Sequence, residues 1–437
     1  MIKIIKLCYY CKTMTIQIKT MNTICPVPWM HLAFEPNGRV IPCCLTSTHG
    51  QATIGNINDQ SIDRIWNGLA LRSIRKQMID GEEPAICNKC FDREKVTGES
   101  GRIYHIRDFQ EVIKTIPIVT EEDGTCNEMK LRYWDFRFSN LCNYKCRSCG
   151  PTYSSSWVPD AKKMGWISEQ DKVWNIEAVD NKTNFDFLKE QVQHVEKVYF
   201  AGGEPLLMDE HWQILDMLYE AKRFNVRINY NTNCSTLTYN KKSALDYWRH
   251  WDNCAVEVWP SLDEIDERAE LIRSGTVWSK VESNLKELLT LDNIIIRPGL
   301  TIGAWNCFRL PEIITRLVDL GVIKSKKEFG YHYNNFFINM LLQPEYYNVS
   351  ILPGEFKKQT VVKLKAFVEE FNAKFETDIT DRFTHIIHEL ETVEFDADNA
   401  RRFVEVTNRL DMIRNEDTWK TIPELEVIKD ELLKLGK

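Results

Sequence analysis

Three cysteines, Cys142, Cys146 and Cys149, stand at a C-x3-C-x2-C spacing within Leu141–Gly150, directly after a run that reads as a strand. Soft thiolates on one short loop suit an iron–sulfur cube. A cube has four irons, so three cysteines leave one iron without a protein ligand. An open metal position is what chemistry needs, whereas a structural site is normally closed. A zinc site completed by a distant residue is the alternative reading of the spacing alone.

A second set precedes it. After Cys25-Pro26, Met30, Leu32 and Phe34 alternate with other residues toward Pro36-Asn37-Gly38, and Asn-Gly is a strong hairpin signal. Val40-Ile41 resume the strand before Cys43-Cys44, so the hairpin folds Cys43 back toward Cys25. A helix with Ile62, Ile65, Trp66 and Leu69 on one face, behind the capping candidate Ser61, then delivers the chain to Cys87-Asn88-Lys89-Cys90. Cys25, Cys43, Cys87 and Cys90 make a closed four-thiolate set, with Cys44 able to replace Cys43. Tetrahedral zinc would fit four cysteines as well as a cluster would. Cys8 and Cys11 have no partner pair close by, and Cys126 reads as a bystander.

Elements that would position these residues follow in order. Met129–Ser139 is a strand ending at the cysteine loop. A helix over Asn184–Val195 leads to the buried strand Lys197–Ala201, and a helix with Trp212, Leu215, Leu218 and Tyr219 inward leads to Val226, Ile228 and Tyr230. Further helices near 241–250, over Val277–Leu291 and over Leu310–Leu320 alternate with strands Cys254–Ser261, Ile294–Ile296 and Asn335–Leu342. Repeated βα units imply a parallel sheet with helices outside, and chemistry at the C-terminal strand ends. After Pro353 the chain turns helical, with Leu364, Phe367, Val368 and Phe371 at helical spacing and another helix over 399–413. These helices pack on and close the barrel.

With Gly202-Gly203-Glu204-Pro205 following the second strand, the cysteine loop resembles that of the radical S-adenosylmethionine (SAM) superfamily. The resemblance covers most of 129–343. Residues 25–90 are similar to the twitch and SPASM auxiliary domains attached to many of its members. The resemblance implies an α/β fold, an open (β/α)6 partial TIM-type barrel over 129–343. A small cysteine-rich domain over 25–95, a connector over 96–128 and a helical region over 344–437 complete it. Residues 1–24 read as an extension ahead of a second start at Met21.

The resemblance further implies a [4Fe-4S] cluster on Cys142, Cys146 and Cys149 whose open iron is chelated by SAM. One electron then splits the sulfonium, giving methionine and a 5′-deoxyadenosyl radical that abstracts hydrogen from substrate. By the same resemblance Gly202, Gly203, Glu204 and Pro205 bind the SAM amino group through backbone oxygens and the Glu204 carboxylate. Asn231 and Asn233, in Asn231-Thr232-Asn233, reach SAM or substrate. Ser261 and Asp263 meet the ribose, and Arg273 meets the SAM carboxylate, a task suited to a planar fork of donors. An i,i+3 surface pair with Glu270 is the plain alternative for Arg273. An auxiliary [4Fe-4S] cluster in the N-terminal domain, an electron donor such as flavodoxin or ferredoxin, and a peptide or protein substrate (maturase-like) complete the expectation. A small-molecule dehydrogenase and a non-catalytic metal-stabilised binding protein are the alternatives. The sequence departs from the family at Ser148, where an apolar residue usually covers the adenine, and at Leu300-Thr301-Ile302-Gly303, which keeps the fifth-strand motif only loosely. Placing the auxiliary domain ahead of the core is a third departure.

Composition agrees with a globular chain: 437 residues, 43% hydrophobic and 27% charged. A net charge of −7 argues against a nucleic-acid-binding surface. No apolar run approaches the roughly 18 residues of a membrane span. The basic opening is broken by Lys6 and Lys12 and reads against a signal peptide. Cysteines in short-spaced groups point to metal ligands in a reducing cytoplasm.

Overall fold

Strand alternation sets the architecture. In a computed structural model, which describes residues 22–46, 52–168, 182–324, 327–328, 331–332 and 335–435, Trp134, Phe136, Val198, Phe200, Ile228, Tyr230, Val256 and Val258 are all buried. They occupy alternate positions of four neighbouring parallel strands, so one face of the sheet is apolar and takes the helices. The intervening residues carry Asp135, Lys197, Tyr199, Arg227, Asn229, Asn231 and Glu257 on the other face. The extension around Cys8 and Cys11 lies outside the described residues.

The strands are β1 (His31–Phe34), β2 (Arg39–Ile41), β3 (Gly55–Asn56), β4 (Tyr133–Phe136), β5 (Lys197–Phe200), β6 (Arg227–Thr232), β7 (Thr238–Tyr239), β8 (Lys242–Ser243), β9 (Val256–Pro260), β10 (Ile294–Ile296), β11 (Gly299–Ile302), β12 (Lys327–Glu328), β13 (Tyr331–His332) and β14 (Phe337–Met340). Eight of them form one sheet in the order β10-β9-β6-β5-β4-β1-β2-β3. β11 pairs in parallel with β14, and a bridge from Ser261 to Gly299 joins that pair to β9. β10 and β11 are thus one bent fifth strand, and β14 is the sixth. The fold is the expected partial (β/α)6 barrel.

The sequence did not announce the seventh parallel neighbour. Strand β1 of the cysteine-rich region pairs in parallel with β4, Leu32 opposite Trp134 and Phe34 opposite Phe136. The hairpin turns at Asn37-Gly38 as expected, with Gly38 N–H donating to Glu35 O at 2.8 Å.

The helix expected after Ser61 is two helices, α1 (Ile62–Trp66) and α2 (Leu69–Ile79), because Asn67-Gly68 breaks it. Ile62, Ile65 and Trp66 are buried, but Leu69 is 79% exposed, and Ser61 makes no side-chain cap. Next come α3 (Asn88–Thr97), α4 (Gly101–Asp108) and α5 (Gln110–Val119). The connector over 96–128 is therefore largely helical. Barrel helices are α6 (Val158–Met164), α7 (Lys182–Gln191), α8 (Asp209–Glu220), α9 (Ala244–Trp248), α10 (Asp266–Ile272), α11 (Trp278–Leu288) and α12 (Leu310–Asp319). Tyr219, expected inward on α8, is exposed, while Trp212, Leu215 and Leu218 are buried. The C-terminal helices are α13 (Gly354–Phe375), α14 (Thr380–Thr392), α15 (Ala397–Arg414), α16 (Thr418–Thr421) and α17 (Glu426–Leu435). Among the described residues no helix is long and apolar enough to cross a membrane.

Candidate functional site

The cysteine loop leaves β4 and is fixed from three sides. On the first, Gly203 presses against it: a Cβ there would lie 2.1 Å from Leu141 O, and Glu204 N–H donates to Leu141 O at 2.7 Å. The glycine is required by the loop's own backbone, not only by a ligand. On the second, the segment after α10 runs beside the loop. Lys145 N–H donates to Ser274 O and Arg147 N–H to Ile272 O, each at 2.8 Å. Gly275, at φ +102°, brings its Cα close to Asn143 O, where a Cβ would sit 2.8 Å away.

The third side comes from the C-terminal helices. Arg147, between the last two cysteines of the loop, is 2% exposed. Its Nη2 reaches Asp411 Oδ1 at 2.5 Å and Glu416 Oε2 at 2.6 Å. Ser274 Oγ donates to the other oxygen of Glu416. Asp160 takes Arg414 Nε at 2.7 Å and Lys145 Nζ at 3.0 Å. Arg414 also lies over the Trp157 ring, 4.4 Å from its centroid, and Trp157 Nε1 donates to Cys146 O at 2.7 Å. The region expected only to close the barrel therefore holds the cysteine loop through buried ion pairs.

Burial pushes the Cys142 thiol up to about 12 and the Cys149 thiol up to about 11, and raises Cys146 as well. Binding iron must remove those protons. Arg273 faces that task. Burial opposes its charge, but Cys146, Asp263 and Cys142 outweigh burial and hold it protonated. Its Nη1 pairs with Asp263 Oδ2 at 2.7 Å, while Glu270 caps Trp278 N–H instead. The simple i,i+3 pair is thus not what Arg273 makes. Its buried Nε has no partner.

Of the remaining expected residues, Glu204 and Asn233 touch the loop, whereas Asn231 and Ser261 make their bonds elsewhere. The Glu204 carboxylate is fully buried and accepts from Thr232 Oγ1 at 2.8 Å, Asn233 N–H at 2.7 Å and Leu206 N–H at 3.2 Å. Burial raises its pKa to about 7, against the pull of those donors. It ties the ends of β5 and β6 together, with Pro205 opening the turn that follows. Asn233 Nδ2 donates to Asn143 Oδ1 at 3.0 Å and lies 3.9 Å from Cys142 Sγ. Asp263 also accepts Thr301 N–H at 2.9 Å, and Ser261 sits at the bridge to Gly299. Asn231 Nδ2 donates to Tyr199 Oη at 2.6 Å.

Asn231 and Gly202 open onto a cleft of about 350 Å³ at the C-terminal strand ends. Its far wall is the β1–β2 hairpin, through Glu35, Arg39, Ile41 and Cys44. Arg137 stands 3.7 Å from Glu35 and 3.5 Å from Asp135, whose two buried oxygens accept no hydrogen bond. Asp135 and Arg137 were not singled out from sequence. Their signal was the charged alternation Asp-x-Arg in a strand that must be buried on both faces.

Cys25, Cys43, Cys87 and Cys90 border one apolar cavity. Cys44 lines the cleft instead, next to Cys43, with whose thiol it interacts. Burial pushes Cys25 and Cys87 up to about 12. Cys126 hydrogen-bonds Glu128 O, apart from both sets. Among the described residues no three His, Cys, Asp or Glu side chains converge as around a single ion. The donor chemistry of both sets, soft thiols on one loop and around one cavity, suits iron–sulfur clusters.

Residues 25–91 match the model of the SPASM family, an iron–sulfur cluster-binding domain. A GTP 3′,8-cyclase of Aliarcobacter butzleri is 26% identical over 160 residues, 36% of this chain and 43% of that cyclase. The family match is confined to the cysteine-rich region at 25–91. Similar solved structures include anSMEcpe with bound AdoMet, at 15% identity and TM-score 0.38, covering 56% of this chain and 62% of that one. Streptococcus suis SuiB bound to its precursor peptide SuiA is 12% identical at TM-score 0.35, covering 90% and 73%. The match spans less than half the length of that curated cyclase.

Proposed function

We propose that the chain cleaves SAM reductively at a cluster on Cys142, Cys146 and Cys149 and abstracts hydrogen from a substrate seated in the cleft. The observation that carries the reading is the contact of Gly203 and Glu204 with Leu141, which joins the glycine motif, the cysteine loop and the cleft in one place. When bound, the cluster and SAM supply the 5′-deoxyadenosyl radical. The protein's residues then bind, aim and exclude water. Arg273, whose buried Nε has no partner, would meet the SAM carboxylate, and Ser261 and Asp263 the ribose. Asn233 and backbone oxygens of 202–205 would take the amino end. Glu204, already accepting three hydrogen bonds, acts first by fixing those backbones.

The units 25–95, 96–128, 129–343 and 344–437 are proposed as the working division of the chain. Cys25, Cys43, Cys87 and Cys90 would hold an auxiliary [4Fe-4S] cluster, with Cys43 preferred to Cys44 because Cys43 borders the same cavity as the other three. A cleft walled by a hairpin and open at its rim suits a segment of a peptide or protein. A small-molecule substrate is the second reading, favoured by the likeness to a GTP cyclase over 160 residues. Electrons would come from flavodoxin or ferredoxin.

Anaerobic reconstitution tests the proposal. A brown protein that forms 5′-deoxyadenosine from SAM and dithionite supports it; a colourless protein holding only zinc overturns it.

A further inference from the structure

The cavity bordered by the four cysteines is apolar except for three side chains, and two of those are committed elsewhere. Thr46 Oγ1 donates to Cys43 O at 2.6 Å. Arg102 uses all three nitrogens: Nε and Nη2 on the Glu94 carboxylate, and Nη1 on Ile24 O at 2.9 Å. The third is His105. It borders the cavity, is 7% exposed, and its buried Nδ1 has no hydrogen-bond partner.

Its setting holds the ring in place. His105 lies on the inner face of α4, with Tyr133 at 5.7 Å and Phe109 at 6.4 Å between ring centroids. The helix is pressed against the cysteines at its start, where a Cβ on Gly101 would come 3.8 Å from Cys90 Sγ. Burial, with Lys197 and Arg227 adding to it, keeps the imidazole neutral, so it carries one N–H. With that proton on Nδ1, the ring beside the cavity has a buried donor without a partner, and a buried donor needs an acceptor. The thiolate and sulfide sulfurs of a cluster are acceptors, and hydrogen bonds to them tune its potential.

We propose that His105 donates an N–H hydrogen bond to the cluster held by Cys25, Cys43, Cys87 and Cys90 and thereby sets its reduction potential. The proposal rests on the four-cysteine reading of that cavity. A hydrogen bond withdraws charge from the sulfurs and favours the reduced state, so its loss makes the cluster harder to reduce.

The test uses the full chain with Cys142, Cys146 and Cys149 replaced by Ala, so that one cluster titrates, and with histidine labelled by 15N. The expected result is a 15N coupling from histidine in the spectrum of the reduced cluster. It is lost in His105→Phe, whose midpoint potential moves to more negative values at equal iron content. His105→Gln, which restores an N–H, recovers part of the shift. Equal potentials in all three proteins overturn the proposal. So does absence of a 15N coupling in the parent, a result that needs no variant to fold. A parent that loads no iron overturns the four-cysteine reading itself, which is a separate failure.

Discussion

The two cysteine sites are built in opposite ways. The triad occupies one loop, and the rest of the protein holds that loop with hydrogen bonds and the buried pairs of Arg147, Arg414 and Lys145. The quartet comes from three separated stretches of chain around an apolar cavity. A cube bound by three ligands cannot by itself order its surroundings, so an open site needs a mount that stands without metal. A four-ligand cluster cross-links its own ligands and can lend stability to the region it joins. On the proposed assignments, the comparison separates a pre-formed site from one that its cofactor would complete.

Mutations can break it. The largest effect is expected at Cys146→Ala, with no 5′-deoxyadenosine detectable by chromatography, while Cys90→Ala spares uncoupled SAM cleavage and blocks product formation. Equal losses from both would mean that the quartet serves only to hold the fold. Next, Cys43→Ala should lose the quartet's iron whereas Cys44→Ala keeps it, as counted by iron and sulfide analysis. Iron loss in the second variant would place Cys44 among the ligands.

A smaller effect concerns the mount. Arg147→Leu takes the cation away from buried Asp411 and partly buried Glu416, and removing one partner of a buried network costs up to about 3–5 kcal/mol. Denaturant melts of the metal-free protein should show it. An unchanged midpoint would mean that the loop is not held as described. Glu204 offers the smallest. Its folded pKa of about 7 lies above the ordinary value of 4.5, so the native state binds more protons between those limits. Stability of the metal-free protein should therefore fall as pH rises from about 4.5 to 7 and level off above. Glu204→Gln should flatten that slope in melts run at several pH values.

Much of this was readable because it is local. The barrel strands, the Asn37-Gly38 turn and the cysteine spacings depend on neighbours in sequence, and each appeared where patterning placed it. Leu69 and Tyr219 were misread because periodicity was carried across the Asn67-Gly68 break and one position too far along α8. Residues that act at long range left no local trace. Arg147 meets Asp411 across 264 positions, and nothing near Arg147 names that partner. His105 sits in a stretch without a motif, visible only once α4 is laid against the cavity. The pairing of β1 with β4 is of the same kind, since a strand does not declare which edge it joins.

That pairing has a mechanical consequence. Because the hairpin continues the barrel's own ladder, the span from the cysteine quartet to the cysteine triad is set by strand spacing and not by a hinge. To swing the front of the chain away, a substrate would have to unzip main-chain bonds. Entry is therefore expected by threading along the rim, past a wall that stays put.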